Sequence, residues 1–251
     1  MHIAVLAKAV PDYEVPAVDF ELENNRAHPR YKRMLGLYDE NAIEVGVQIK
    51  EKYSASMTIL SYGVEDDIPV LRKGLAMGGD KLFLVPGSSD DPFVIAANLK
   101  MAIERIGDID LILGGRQSAD LDRGVVPGVL AGMLGYIFVP QVSSAEETEG
   151  GWLVAQITET GTRKMQFSGK AVLSITDDQS NVPRIPPVRG ILAAKKKPVE
   201  KAAGIEAAPM AVREISVEIP RMESKCEFLP LEDIDQTAKT LLKRLKEERF
   251  L

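Results

Sequence analysis

The sequence predicts an α/β fold in which a doubly wound, mostly parallel sheet is covered by helices on both faces. Over the first two-thirds of the chain, apolar runs of strand length alternate with segments whose apolar residues follow the period of a helix. Strands that are apolar throughout are buried on both faces, which is typical of parallel sheets. Glycine-bounded runs at residues 152–158, 163–167 and 171–175 predict strands that extend the sheet as an antiparallel edge.

Four apolar runs predict the parallel core of a Rossmann-like sheet, at residues 3–7, 57–62, 81–85 and 111–113. We expect the sheet order 3-2-1-4 for these strands, counted along the chain. In that order, the loops after the first and the fourth strand share the crevice where the strand order reverses. Such crevices bind ligands.

Three helices between these strands are predicted from apolar faces bounded by capping residues. The first opens at Asp39 and Glu40. The second carries Pro69 in its first turn, where proline is tolerated, and the third starts at Asp91 and Pro92. Both later helices end at glycine. The expected buried positions are Ala42, Ile43, Val47 and Ile49 in the first helix, Ile68, Leu71 and Leu75 in the second, and Ile95, Leu99, Ile103 and Ile106 in the third.

Residues 111–124 are the most informative stretch, because they predict a buried strand, a glycine-rich polar loop and the start of a fourth helix. A helix N-terminus carries unpaired N–H groups and a partial positive charge, which suit a phosphate. The helix ends at Gly135. Its apolar face consists of Val126, Leu130, Met133 and Leu134.

Small and polar residues of this loop predict ligand contacts. Gly114 and Gly115 allow a ligand to approach the backbone. Gln117, Asp120 and Asp122 can hydrogen-bond a sugar or a base, and Asp122 can also cap the helix. An ordinary turn followed by a helix cap accounts for the same residues, so the loop alone leaves both interpretations open.

The connection between the first strand and the first helix spans residues 8–38, which is long enough to be functional or to contain structure of its own. Residues 15–22 predict a short strand. Asn24 and Asn25 predict a hairpin turn.

After Asp177 the pattern predicts an extended arm. Residues 181–188 are proline-rich, the basic cluster at residues 195–198 is typical of a solvated face, and residues 199–230 have few periodic apolar positions. A final helix carries a narrow apolar seam, which predicts docking on a partner surface or packing on its own domain. The seam consists of Leu231, Ile234, Ala238, Leu241 and Leu245. We therefore expect a nucleotide-binding domain at residues 1–192 and a docking arm at residues 193–251.

Composition excludes several classes of function. The chain has 251 residues and a formal net charge of −6, which argues against nucleic acid or an anionic membrane as the main partner. Cys226 is its single cysteine, and His2 and His28 are its two histidines, so an internal disulfide, a cysteine-rich or histidine-based metal site and a Ser-His-Asp triad are not expected. No run of about 18 apolar residues is present. We expect a soluble, cytoplasmic protein without membrane insertion and without a catalytic nucleophile–base pair.

Several motifs together resemble the beta subunit of electron-transfer flavoproteins, over essentially residues 1–200. Each motif is modestly specific, and their shared order along the chain is strongly specific. They are VLAKAVPDY at 5–13, YDENAIE at 38–44 with IKEK at 49–52, LRKGLAMGGD at 71–80, GRQSADLD at 115–122 and VRGILAAKKKP at 188–198.

This resemblance implies a non-catalytic electron carrier that pairs with an alpha subunit holding a redox-active FAD. Such a heterodimer carries electrons between dehydrogenases and a quinone reductase or another acceptor. The beta subunit itself buries AMP or a second FAD. The nucleotide positions map to Leu6, Ala7, Lys8, Gly36, Leu37, Tyr38, Asp39, Tyr62, Gly115, Arg116, Gln117, Ser118, Asp120, Asp122, Arg123, Gly124, Val125 and Val126. Tyr13 matches a tyrosine that approaches the alpha subunit's flavin, and Val188 matches an apolar anchor for acyl-CoA dehydrogenases.

Two departures from the family pattern bear on the nucleotide. A polar run usually follows the second aspartate of the loop, whereas this chain has Arg123, Gly124, Val125 and Val126. Backbone N–H groups and the Arg123 side chain are the remaining phosphate donors there. Lys170 also replaces a usual proline. AMP, a second FAD and a decayed scaffold site therefore stay open, as does a stand-alone adenine-nucleotide enzyme or sensor, although the chain lacks a P-loop motif.

Overall fold

The computed structural model describes residues 1–202, 215–219, 226, 228–229 and 233–250. Two compact units are present, Met1–Val217 and Glu218–Leu251. Their elements along the chain are β1 (His2–Leu6), β2 (Ala9–Pro11), β3 (Leu22–Glu23), β4 (Arg26–Ala27), β5 (Arg33–Leu35), α1 (Leu37–Tyr53), β6 (Ser56–Gly63), α2 (Ile68–Met77), β7 (Lys81–Pro86), α3 (Pro92–Ile106), β8 (Leu111–Gly115), α4 (Val126–Leu134), β9 (Ile137–Thr148), β10 (Gly151–Thr158), β11 (Gly161–Phe167), β12 (Ala171–Ile175), α5 (Val188–Ala194), β13 (Val199–Lys201) and α6 (Ile234–Glu247).

The first unit is built on a nine-stranded sheet of order β11-β10-β9-β12-β8-β1-β6-β7-β13. Neighbouring strands from β9 to β13 in this order are parallel, and β10 is antiparallel to both of its neighbours, β9 and β11. The predicted 3-2-1-4 order is confirmed as β7-β6-β1-β8. Because the chain leaves β1 toward β6 and β7 and later returns on the other side to β8, the order reverses between β1 and β8.

Helices cover both faces of this sheet, which confirms the doubly wound fold. Ile3 and Val5 of β1 lie in a core packed by α1 and α2, whereas Ala4 and Leu6 lie in a second core packed by α3 and α4. Alternate residues of one strand therefore enter different cores, which is why the strand is apolar throughout.

Capping explains where the helices begin and end. Asp91 caps α3 as predicted, its Oδ1 accepting the Phe93 N–H at 2.8 Å, and α3 ends before Gly107. Helix α1 begins at Leu37, two residues earlier than predicted, so Asp39 lies inside its first turn. Gly135, in the left-handed conformation, ends α4 as predicted.

The antiparallel edge differs from the prediction in one strand. Strand β12 is parallel and lies inside the sheet, between β8 and β9, and the edge consists of β9, β10 and β11. Strand β9 was not predicted. Its run contains Pro140 and several exposed polar residues, and Gln141 has a φ of 53° at an irregularity in the pairing, so regular alternation is lost.

The segment after Asp177 is not the loose arm that the proline content predicts. Asn181 is fully buried, and its Nδ2 donates to the carbonyls of Ser143 (2.8 Å) and Thr176 (2.9 Å). The Arg184 guanidinium pairs with Glu44 on α1 at 2.8 Å. Buried hydrogen bonds thus fix an extended segment that makes few apolar contacts, which periodicity does not reveal.

Two further elements lie in this region of the first unit. Helix α5 packs against α2, and β13 pairs with β7 at the sheet edge. The Lys197 ammonium donates to the carbonyls of Leu75 (2.9 Å) and Gly79 (2.6 Å) at the end of α2. This lysine of the basic cluster therefore caps the C-terminus of a helix and is not part of a solvated face.

The connection from β1 to α1 contains structure, but the strand predicted at residues 15–22 is wrong. A 3₁₀ turn occupies Ala17–Asp19, and β2 pairs with β5 in an antiparallel ribbon. The hairpin turn is confirmed: Asn24 and Asn25 have φ of 52° and 60° between β3 and β4. Two left-handed residues in a two-residue loop form the turn type that asparagine favours.

In the second unit, α6 is capped by Asp233, whose Oδ1 accepts the Gln236 N–H at 3.0 Å. No residue of α6 is buried, and Ile234, Leu241 and Leu242 are exposed. The predicted seam residue Leu231 lies outside the described residues. No helix in the described part of the chain is long and apolar enough to span a membrane.

Candidate functional site

A cleft of about 600 Å³ opens at the carboxyl ends of β1 and β8, where the strand order reverses. Fourteen predicted site residues line it: Leu6, Ala7, Lys8, Tyr13, Asp39, Tyr62, Gly115, Gln117, Ser118, Asp120, Arg123, Gly124, Val125 and Val126. Five others do not line it: Gly36, Leu37, Tyr38, Arg116 and Asp122.

The carboxylate of Asp39 joins the ends of three elements at the base of this cleft. The backbone N–H of Lys8, after β1, donates to Asp39 Oδ2 at 2.8 Å, and the backbone of Gly115, at the end of β8, also hydrogen-bonds this carboxylate. Burial raises the pKa of Asp39 to about 7, although both N–H groups and the Lys8 ammonium act in the opposite direction. The carboxyl group of Asp39 thus lies at the positive end of the α1 dipole.

The glycines at the end of β8 serve protein packing. A Cβ on Gly115 would lie 2.5 Å from Asp39 Oδ1 and 2.9 Å from the carbonyl carbon of Tyr38. On Gly114 it would meet Leu6 and Pro127 at 3.3 Å. Packing against α1, β1 and α4 thus explains why both residues are glycine, and because both also line the cleft, a ligand contact with them stays a prediction.

An ion pair connects the two loops that flank the reversal point. The Lys8 ammonium lies 2.7 Å from Asp120 Oδ2, and both side chains are partly exposed. Burial raises the pKa of Asp120, but the Lys8 charge and hydrogen bond outweigh it, and the net shift is downward. Both residues line the cleft, so the pair holds it in one shape.

The loop after β8 is rigidified from within. Asp122, with a φ of 53°, accepts a hydrogen bond from Gln117 and does not cap α4, which corrects the predicted cap. The Arg116 guanidinium stacks over the Tyr38 ring at 4.7 Å. Gly124 has a φ of 62°, and a Cβ there would lie 2.8 Å from the Arg116 carbonyl oxygen. Glycine is therefore required at residue 124 by the loop itself.

The start of α4 faces the cleft. Its N-cap is Val125, for which the structure describes no side-chain cap, and Val126, Pro127 and Gly124 line the cleft beside it. On the other side of α4, Leu130 is fully buried, but the predicted core residue Met133 is exposed. An α-helix of nine residues without a side-chain cap thus presents its positive end to the cleft, where an anion would be favoured.

Part of the cleft lining is apolar. Leu6, Leu60, Ile95 and Leu99 line it together with Tyr62. The Tyr62 ring covers the backbone of Gly87, and its hydroxyl accepts the Ser89 N–H at 3.1 Å. An apolar lining suits an aromatic base and an uncapped helix N-terminus suits a phosphate, so the cleft offers surfaces for both parts of a nucleotide.

The rim of the cleft includes residues that the sequence did not reveal. Phe20, Leu22, Arg26 and Ala27, from the segment around the β3–β4 hairpin, and Arg33 of β5 line it. The Asn24-Asn25 turn signalled the hairpin, but no local pattern indicated that it folds over the strand ends. Tyr13 also lies at the rim, half-buried, and burial followed by the charge of Glu40 raises the pKa of its hydroxyl.

Val188 lies away from the cleft, at the start of α5. It is 74% exposed, and Ile185 is 92% exposed. No set of three or more histidine, cysteine, aspartate or glutamate side chains in the described chain could hold a metal ion.

A family model described as "Electron transfer flavoprotein domain" matches residues 30–207, from the segment before α1 through β13. The chain belongs to the electron transfer flavoprotein family. The resemblance inferred from the motifs is thereby confirmed.

Curated relatives agree with this assignment. Electron transfer flavoprotein subunit beta of Syntrophomonas wolfei is 31% identical over 245 residues, which cover 96% of this chain and 95% of the relative. The protein of the same name from Mycobacterium tuberculosis strain H37Rv is 32% identical over 213 residues, covering 79% and 77%. That of Megasphaera elsdenii is 28% identical over 262 residues, covering 95% and 94%. An electron transfer flavoprotein beta subunit carries electrons and is generally not an enzyme.

Proposed function

We propose that this chain is the nucleotide-binding subunit of a heterodimeric electron transfer flavoprotein and holds AMP or a second FAD in the cleft between β1 and β8. The observation that carries the proposal is the cleft itself: about 600 Å³ at the reversal point, with the uncapped N-terminus of α4 in its lining. Volumes of this size and this position in the sheet are typical of cofactor sites.

The protein's own groups determine which end takes the phosphate. The first turn of α1 carries the acidic residues Asp39 and Glu40, which disfavour an anion beside it. The first turn of α4 carries none. We therefore propose that the adenosine lies between Leu6–Lys8, Asp39 and Gly115, and that the phosphate lies beside Gly124, Val125 and Val126.

The redox-active flavin of the assembly belongs in this proposal to an alpha subunit. This chain then supplies binding, orientation and exclusion of water, and the flavin supplies the electron chemistry. Tyr13 at the rim of the cleft faces that flavin, α6 docks on the alpha subunit, and residues 193–251 form the docking arm. Electrons pass from dehydrogenases of the acyl-CoA type, which contact Val188, to a quinone reductase or another acceptor in the cytoplasm.

A second candidate function rests on residues 124–126. Glycine and two valines offer no side-chain donor to a phosphate, which favours a scaffold whose nucleotide site has decayed. A stand-alone nucleotide enzyme or sensor is the third candidate, although the sequence contains no P-loop motif.

Identification of the bound nucleotide separates these candidates. The full-length chain, purified with its alpha partner, is denatured by boiling, and the released nucleotides are identified by chromatography. The proposal predicts AMP, or FAD in excess of the alpha subunit's own. ATP would favour the stand-alone enzyme or sensor. The absence of any nucleotide beyond the alpha subunit's FAD would leave the scaffold.

A further inference from the structure

Two arginines from distant parts of the chain converge on one residue at the mouth of the cleft. The Arg123 guanidinium donates to the Asp90 backbone oxygen at 2.8 Å, and the Arg26 guanidinium pairs with the Asp90 carboxylate. All three residues line the cleft. Asp90 thus holds two cationic groups close together, one of them directly before Gly124 and the α4 N-terminus.

The position of Arg26 is fixed by the fold of its hairpin. Arg26 follows the Asn24-Asn25 turn directly and pairs with Glu23 across the hairpin. At the hairpin base, the rings of Phe20 and Tyr31 stack with centroids 5.3 Å apart, and the Tyr31 hydroxyl donates to the Asp19 carbonyl at 2.8 Å. Contacts within the protein therefore fix the backbone that carries Arg26, and such preorganisation lowers the entropy cost of binding.

The local charges favour an anion with more than one phosphate group. The other two cationic residues that line the cleft are already paired, Lys8 with Asp120 and Arg33 with Asp67. Arg26 is about half exposed, so its pairing with Asp90 is weak and can be exchanged for a ligand. The α4 N-terminus and Arg123 can hold one phosphate. The Arg26 guanidinium, from the hairpin, provides two parallel hydrogen-bond donors for a second phosphate.

We propose that Arg26 is a specificity-determining residue that, together with Arg123, binds the diphosphate of a nucleotide, and that Asp90 holds both guanidiniums in place until the ligand arrives. This inference rests on the proposed function, because it names the ligand class of the same cleft. It accounts for the absence of side-chain donors at residues 124–126, since donors from the hairpin replace them.

The test uses the full-length chain, freed of bound nucleotide by dialysis at high salt, and isothermal titration with AMP and with ADP as probes. The unmodified chain should bind ADP at least about fivefold more tightly than AMP, as one added charge-assisted contact implies. Arg26→Gln should abolish this preference while leaving AMP affinity within about twofold. Asp90→Asn should retain or increase it, because it removes a competing carboxylate.

Lys32→Gln is the control, because Lys32 lies in the same connection between β1 and α1, carries the same charge, is exposed and does not line the cleft. It should leave the preference unchanged. If Arg26→Gln and Asp90→Asn reduce the affinities for AMP and for ADP by the same factor, the Arg26–Asp90 ion pair only stabilises the local structure. The inference is then wrong. It is also wrong if the unmodified chain binds AMP and ADP equally. If neither probe binds the unmodified chain, the proposed nucleotide function itself fails.

Discussion

Gly115 and Asp39 are in such close contact that only glycine fits at residue 115: a Cβ there would lie 2.5 Å from Asp39 Oδ1 and 2.9 Å from the Asp39 backbone nitrogen. This contact brings the end of β8 against the first turn of α1, directly below the cleft. The shape of the cleft therefore depends on one glycine and one buried carboxyl group that the protein uses for its own packing.

Gly115→Ala should destabilise the chain by about 1–3 kcal/mol, because the added methyl group meets backbone atoms that cannot rotate away. Chemical denaturation measures the change. Gly132→Ala is the control, since Gly132 is exposed in α4 and a Cβ there meets nothing within 4 Å. That change should be neutral or stabilising by up to about 1 kcal/mol. Equal stabilities of the two variants would contradict the contact.

Asp39 should make the first unit less stable as the pH rises from about 4 to about 7. Its pKa in the folded chain is raised to about 7 from an ordinary 3.8, so between these values the folded state binds more protons than the unfolded state. The stabilisation is fully present below pH 4 and is lost through pH 7. In denaturant titrations, the unfolding free energy of the unmodified chain minus that of Asp39→Asn should fall from pH 5 to pH 8. A difference that stays constant or rises would show that Asp39 is not a buried acid.

Sequence patterns predicted the parts of the fold in which one local rule applies. Strands β1, β6, β7 and β8 are buried on both faces, so their apolar runs are unambiguous, and the Asp91-Pro92 start of α3 is a cap that acts within one turn. Strand β9 was missed because half of it is exposed and Pro140 interrupts it. Helix α5 was missed because it is short and follows prolines.

In the site, too, some features were predictable from the sequence and others depend on long-range packing. The convergence of the β1 and β8 loops follows from the strand order, so the two loops were predicted to meet. The contribution of Arg26 depends on how residues 17–31 fold over the strand ends, which is a long-range packing outcome without a local pattern. Asp39 was read as a helix-start residue, and its real partners, the N–H groups of Lys8 and Gly115, are distant in sequence.

Tyr13→Ala should shift the reduction potential or absorbance spectrum of the flavin in the assembled heterodimer and leave assembly intact. An aromatic ring against a flavin excludes water and lowers the local dielectric constant, and alanine would admit solvent. Tyr13→Phe keeps the ring and should cause a smaller shift. A Tyr13→Ala heterodimer with an unchanged spectrum and potential would show that Tyr13 does not contact the flavin.

A chain that ends after Val217 should keep the first unit folded and lose the alpha subunit. The end is placed at Val217, the last residue of the first unit, because removing the whole predicted arm from residue 193 would also remove β13, which belongs to the sheet. Circular dichroism tests the fold, and co-purification tests the pairing. Stoichiometric recovery of the alpha subunit with the shortened chain would show that the C-terminal segment is not the main contact.

Within α6, Leu241→Glu should weaken the same pairing, because Leu241 is an exposed apolar residue of the seam. Lys239→Glu, on an exposed position outside the seam, is the control and should pair normally. If both variants retain the alpha subunit equally, the seam of α6 does not dock on it.

The nucleotide content of Val126 variants tests the central claim most directly. Substitution at Gly124 would strain the loop, whereas Val126 is the first residue of α4 and lines the cleft. Asp and Asn have nearly the same size, so Val126→Asp and Val126→Asn lose the same apolar contacts and differ in one charge beside the proposed phosphate. The account predicts that purified Val126→Asp heterodimer has lost most of the nucleotide bound by this chain, while Val126→Asn retains more of it. Equal, undiminished nucleotide content in both variants would contradict a phosphate site at the start of α4.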